Sequence, residues 1–314
     1  MRYVVDETSW DLDDLEEPDL VRTINEILDL VDDAIVQGHG CCCSQELFGQ
    51  PVKNGFSFYQ LLGGEGGISI PRELVERHAA IFNSMPIWEE LGPPPPADYD
   101  ASIDGGVQEF ACSICWAHAK NLLSRRCDVA VISHAHRRSP GLKMVQVLGL
   151  DVGIWFATCV ADTELYFRYL ISNMSSNRRE MEALSSFAFR RLGFVDGCFA
   201  GIGNMEGGYT DLVGPIVTHL SVFSDYGADV FANPNDQVST RFGSLGVTVS
   251  NENGNTRANN EAARARTIPV NGVDREFWWH SKLEPHRNRI HICPEDARSG
   301  GKILVGIFAR HLPT

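Results

Sequence analysis

The sequence predicts an α+β protein, a mixed α/β N-terminal and central part followed by a C-terminal antiparallel sheet. Three observations carry that expectation. Leu20, Ile24, Ile27, Leu28, Val31 and Ile35 recur at three- and four-residue steps, the period of a helix with one apolar face. Between residues 107 and 175 apolar strand-like runs alternate with helical ones, the pattern of a sheet covered by helices. Beyond Phe277, three short runs alternate apolar and polar residues between turn signals, as hairpin-linked strands do.

Taken in order, MRYVVDE reads as a first strand ending in acids, and the segment from Asp11 to Gly38 as the amphipathic helix, stopped by Gly38 and Gly40. Asn54-Gly55 and Gly63-Gly64 mark loops, and a helix opens at Ser69 with Pro71 in its first turn. GPPPPADYD, Gly92 to Asp100, is the clearest break, because consecutive prolines cannot continue a helix. VQEFACSICWAHAKNLLSR then reads as helix, CDVAVISHA as a buried strand, LKMVQVLGL and VGIWFATCV as strands and TELYFRYLISNMSS as helix. The block from Asn177 to Phe231 reads as mainly helical, with a helix from about Tyr209 to Tyr226, and NPNDQVSTRFG as loop. Strands follow at 277–283, 288–293 and 302–308, with turns at Glu284-Pro285 and Ser299-Gly300-Gly301. The expected division is 1–91, an acidic N-terminal segment; 98–240, a central α/β region; and 245–314, the sheet domain.

The 314 residues carry a formal net charge of -14, which argues against the whole surface being a platform for phosphates. The charge is unevenly spread. Residues 1–36 hold twelve acids against Arg2 and Arg22, whereas residues 256–314 hold ten bases against six acids. Nine cysteines, three of them consecutive at Cys41-Cys42-Cys43, do not make a disulfide ladder. No apolar leader follows Met1 and no run reaches the roughly 18 apolar residues of a membrane span, so the expectation is a reducing, cytoplasmic setting with free thiols and no membrane partner.

The candidate chemistry lies in WWHSKLEPHRNRIHI, Trp278 to Ile292. Alternation along a strand puts Ile290 and Ile292 on a core face with Ile303, Val305 and Ile307, and sends Arg289, His291 and Cys293 to the other. On the first strand Trp278, His280 and Lys282 share one face; Phe277, Trp279, Ser281 and Leu283 share the opposite one. His280, Lys282, Arg289 and His291 are thus expected on one surface, with His286 and Arg287 in the turn and His311 arriving from the C-terminal end. Such a set suits RNA cleavage without a metal or other cofactor. Histidines near neutral pKa serve as base and acid, Arg and Lys clamp the phosphate, and Trp278 stacks a base. The plainer reading is the ordinary polar outer face of an amphipathic sheet.

The runs VSNENGNTRANN, WWHSKLEPHRNRIHI and KILVGIFARHLPT, from about Thr248 to Thr314, resemble the C-terminal region of bacterial proteins of the RelE/ParE-like toxin fold. The resemblance covers about a fifth of the chain. It implies a small α+β domain, with Lys282, Arg287 and Arg289 as the cations on phosphate and His291 or His311 as acid or base, to which the strand alternation adds His280. It further implies a toxin-like or phage-defence effector of metal-independent endoribonuclease type, acting on RNA, which is in some cases ribosome-associated. A non-catalytic subunit that docks nucleic acid or a protein partner is the alternative.

Other motifs invite weaker readings. Cys112-x-x-Cys115 with His118 is half a zinc site, but core thiols fit a helical run better. Asp6 and Glu7, ending the first strand, resemble the acid that opens a PIN-like metal-dependent nuclease, which needs further acids such as Asp128, Asp151, Asp162 and Glu164; strand-terminal Asp is more often a turn or cap residue. His134-x-His136 before Arg137-Arg138 suggests a metal or phosphate at a strand end, or simply a polar loop. GGEGG lacks the Lys-Ser/Thr of a phosphate loop.

Overall fold

The structure, a computed structural model, describes residues 1–91, 99–232, 237–284, 287–299 and 301–314. The chain groups into two units, Met1–Tyr166 and Phe167–Thr314.

The first unit is built on β1 (Arg2–Val5), β2 (Gly40–Cys42), a hairpin of β3 (Pro51–Lys53) and β4 (Phe56–Ser57), β5 (Asp100–Ile103), β6 (Glu109–Phe110), β7 (Val129–Ile132), β8 (Gly141–Val147) and β9 (Leu150–Ala157). Its helices are α1 (Glu17–Val36), α2 (Phe58–Leu62), α3 (Arg72–Phe82), α4 (Cys112–Ser124) and α5 (Val160–Met174), the last ending in the second unit. Seven strands form one sheet in the order β2-β1-β7-β9-β8-β5-β6, the first four mutually parallel and the remainder antiparallel. Every residue of VAVI in β7 is buried, as a central parallel strand covered on both faces must be. Helix α1 begins at Glu17 rather than Asp11 because Pro18 occupies its first turn, where a missing N–H costs nothing.

This sheet draws strands from both sides of the proline run. The expected boundary between 1–91 and 98–240 therefore falls within one unit, because β1 finds its hydrogen-bond partner in β7. The linker residues 92–98 lie outside the described residues. Cys112, Cys115, Ile114 and Trp116 of α4 pack with Val4, Val131 and Phe156 in one apolar cluster. All nine cysteines are free thiols. Among the described residues no helix is long and apolar enough to cross a membrane.

The second unit contains α6 (Arg178–Ala188), β10 (Leu192–Phe194), α7 (Tyr209–Ala232), α8 (Val238–Ser244), β11 (Thr248–Asn251), α9 (Gly254–Ala258), α10 (Asn260–Arg264), the hairpin β12 (Thr267–Val270) and β13 (Val273–Glu276), then β14 (Trp279–Glu284), β15 (Arg287–Cys293) and β16 (Ile303–Ala309). The expected meander β14-β15-β16 is present, extended by β11 beside β14 and by β10 parallel to β16. Strand β10 comes from the block read as mainly helical. Half of the segment read as loop is α8, held by burial of Phe242 against Phe223 and Phe231. Turn residues Pro285, His286 and Gly300 lie outside the described residues.

One face expectation needs correction. Ile303 and Val305 are buried, but Ile307 is only half-buried and Phe308 takes its place. The register of β15 on β16 shifts between His291 and Ile292, pairing His291 with Ile307 and Ile292 with Val305. A one-residue bulge reverses the alternation beyond it, so Ile307 turns to the face of His291.

Candidate functional site

The site begins as a hairpin. Trp279 pairs with Ile292, His280 with His291, Ser281 with Ile290 and Lys282 with Arg289. Cross-strand partners share a face, so both histidines and both cations stand together, as alternation predicts. The opposite face carries Trp279, Ile290 and Ile292 against α7, with the Phe231 ring 5.3 Å from Trp279.

Strand β11 adds to the histidine face. Thr248 pairs with Lys282 and Ser250 with His280, and the Glu252 N–H donates to the Trp278 carbonyl at 3.1 Å. Thr248, Ser250 and Glu252 therefore project alongside His280. Glu252 Oε1 lies 3.4 Å from His280 Nδ1, without hydrogen-bond geometry, and accepts from Arg266 Nε at 3.2 Å and Nη2 at 2.8 Å. Arg266 is fully buried and its Nη1 also donates to the carbonyls of Ala262, at 3.1 Å, and Pro313, at 2.7 Å. A buried guanidinium is tolerated because its donors are met.

The two imidazole rings are 5.2 Å apart. His291 Nδ1 sits 3.2 Å from the Phe277 carbonyl; a carbonyl only accepts, so Nδ1 carries the proton and Nε2 is bare. Burial pushes the His280 pKa down to about 4, with Arg289, Lys282 and Arg266 adding and Glu252 opposing. Burial likewise holds His291 well below the ordinary histidine value, reinforced by His280 and Arg266. Both rings are neutral at neutral pH. Burial also lowers Arg289, against the pull of Glu252.

The histidines are not on an open surface. His280 is 4% exposed and His291 is 0%, because the chain between Glu252 and Trp278 folds over them, joined to the C-terminal tail through Arg266. Trp278 is also covered: its Nε1 donates to Glu276 at 2.8 Å and the Arg257 guanidinium lies 5.3 Å over its ring. The expected base-stacking platform is therefore occupied from within. Arg287 faces Glu206 and Glu284, the latter at 3.1 Å. His311 is exposed, with Nδ1 2.7 Å from the Leu312 carbonyl and no contact to the histidine pair. Of the six residues expected to act together, the fold assembles His280, Lys282, Arg289 and His291.

Lys282 and Arg289 are half-buried at the wall of a cavity of about 370 Å³, shared with Thr248, Gly246, Leu283, Glu284 and His219. Among the described residues neither cation has an ion-pair partner, and Arg289 Nε is buried without a hydrogen bond.

The motifs of the first unit are committed to the fold. Asp6 Oδ1 accepts from the Thr8 N–H and hydroxyl at 3.0 and 2.6 Å, and Oδ2 from Ser133 Oγ at 2.9 Å and Arg138 Nε at 3.1 Å. Glu7 accepts from the Ser113 N–H at 3.0 Å, and burial beside Asp6 raises its pKa to about 7. Asp162 caps the turn at Thr158 and Cys159, Asp151 meets Gln146, and Asp128 meets Arg126. His118 Nε2 is 2.9 Å from the Leu150 carbonyl, and burial pushes the Cys112 and Cys115 thiols up to about 12. His134 packs edge-on to Trp10 at 4.8 Å, while Arg137 and Arg138 pair with Asp11 and with Asp6 and Glu109.

Glu252, Arg266 and Thr248 were missed from sequence. One signal for two of them exists: Val247 and Val249 alternate with Thr248 and Ser250, a period of two that marks β11 and carries on to Glu252. Arg266 has no such signal, since its burial depends on the tail returning to it. No protein-family model, curated protein or solved structure matches this chain.

Proposed function

We propose that the second unit binds a phosphate ester, single-stranded RNA being the substrate class, through Lys282 and Arg289. The observation that carries this reading is the pair of cations facing one another across β14 and β15, unpaired among the described residues, at the wall of a 370 Å³ cavity. A buried guanidinium N–H without a partner costs about 1–3 kcal/mol, and an anion at that position removes the cost. The cavity volume falls within the range of ligand pockets and suits a nucleotide unit rather than a duplex. Thr248 supplies a hydroxyl for the same group. Recognition takes precedence over cleavage in this reading, because His280 and His291 are screened from a substrate 2′-hydroxyl.

The test is binding of a short single-stranded RNA to the full chain at several salt concentrations. Lys282→Ala and Arg289→Ala are each expected to weaken binding by about tenfold or more and to reduce the salt slope by about one. Absence of binding by the unaltered chain sinks the reading. RNA cleavage without divalent metal, lost in His280→Asn, replaces it with the endoribonuclease that the RelE-like resemblance implies.

A further inference from the structure

We infer that Glu252, His280 and His291 form a binding site for a first-row divalent metal ion of the Zn²⁺ class. One nitrogen from each histidine and one carboxylate oxygen lie within 4.8 Å of one another, and among the described residues no other group of three or more such side chains is so placed. Ligands around a tetrahedral ion with bonds of 2.0–2.1 Å stand about 3.4 Å apart, so each side chain moves by roughly 1 Å or less to close on the ion.

The site has the features of a built one. His291 Nε2 and His280 Nδ1 are both buried without a hydrogen-bond partner, in side chains 0% and 4% exposed. Buried polar atoms are ordinarily satisfied, and an ion satisfies both lone pairs at once. The Phe277 carbonyl orients His291 from behind through Nδ1, as outer partners of metal-bound imidazoles do. Arg266 grips Glu252 Oε1, which lies 3.4 Å from His280 Nδ1, and so fixes the carboxylate beside the two rings.

Two histidines and one carboxylate are a known set for Zn²⁺ and for non-haem iron, and three protein ligands leave a coordination position for water or an added ligand. Arg266 and Arg289 oppose the incoming charge, which moderates affinity without removing the ligand set. The inference uses different atoms from those of the phosphate reading, and either stands without the other.

The experiment is titration of the metal-depleted full chain with Zn²⁺ by calorimetry and with Co²⁺ by visible absorption. One equivalent per chain is expected, with Co²⁺ ligand-field bands of low coordination number and no thiolate-to-metal charge transfer. His291→Asn and Glu252→Gln should weaken binding by more than about 100-fold, beyond the loss typical of outer partners. Cys112→Ser should leave it unchanged, and Lys282→Ala, which removes a cation near His280, should not weaken it, the latter separating this site from the phosphate reading. Absence of saturable binding, a thiolate charge-transfer band, or unchanged affinity in His291→Asn overturns the inference. Should His291→Asn fail to fold, the Co²⁺ spectrum of the unaltered chain decides the matter alone.

Discussion

Glu7 and His280 show how burial acts in opposite directions on acids and bases. Both lose hydration in the folded chain, and each responds by favouring its neutral form. For Glu7 the folded pKa, about 7, lies above the ordinary carboxylate value. Its contribution is fully present below the unfolded value near 4.5 and is lost as pH rises through 7, because the unfolded chain releases its proton first. The loss is on the order of 3 kcal/mol. Glu7 thus opposes the buried histidines of the same unit, and Glu7→Gln should make stability rise more steeply from pH 4.5 to 7.5, read by denaturant unfolding, since the amide oxygen still accepts from the Ser113 N–H. An unaltered pH profile in that variant contradicts the assignment. For the histidine face, alternation correctly placed His280, Lys282, Arg289 and His291 side by side. It was silent on depth, because whether a strand face meets solvent depends on what folds over it.

Among elements, β16 is the instructive case. Its apolar run KILVGIF is legible as a strand, and the sides of Ile303 and Val305 follow from simple alternation. The bulge then exchanges Ile307 for Phe308. Gly306 sits at this shift, and a Cβ there falls on the Phe277 ring well inside van der Waals separation. Phe277 belongs to the cover over the histidine pair, so Gly306 is what lets cover and sheet meet. Gly306→Ala is expected to destabilise by about 1–3 kcal/mol through overpacking and to open the cover. Thermal unfolding together with faster alkylation or exchange at His291 checks this, and wild-type values on both measurements reject it. Helices α1, α4 and α5 were legible because their apolar periodicity is long and regular. Strands β10 and β11 and helix α8 escaped because they are short, and their stability comes from partners distant in sequence, Val305, Lys282 and Phe223 among them.

At the scale of the whole chain, each unit carries buried neutral histidines. His78 and His134 in the first unit are pushed down to about 3 by burial, and His219 and His280 in the second to about 4. A depressed folded pKa gives stability that is present above the unfolded value near 6.5 and lost as pH falls toward the folded one. Both units should therefore lose thermal stability from pH 6.5 down to about 4, with proton uptake on unfolding. Calorimetry across that range measures it, and a flat profile contradicts it. His78, stacked on Phe82 at 4.5 Å and close to Phe58 and Trp10, offers the control: His78→Phe should reduce the acid loss of the first unit.

By itself the sequence determined the α+β class, the amphipathic helices, the C-terminal meander and the shared face of His280, Lys282, Arg289 and His291. Those follow from local periodicity, which is a property of neighbours along the chain. The tertiary structure decided that the strands flanking the proline run join one sheet, that Glu252 and Arg266 come to the histidines, and that the pair is buried while Lys282 and Arg289 reach a cavity. Such outcomes rest on hydrogen bonds and burial between segments far apart in sequence, whose pairing no local pattern encodes.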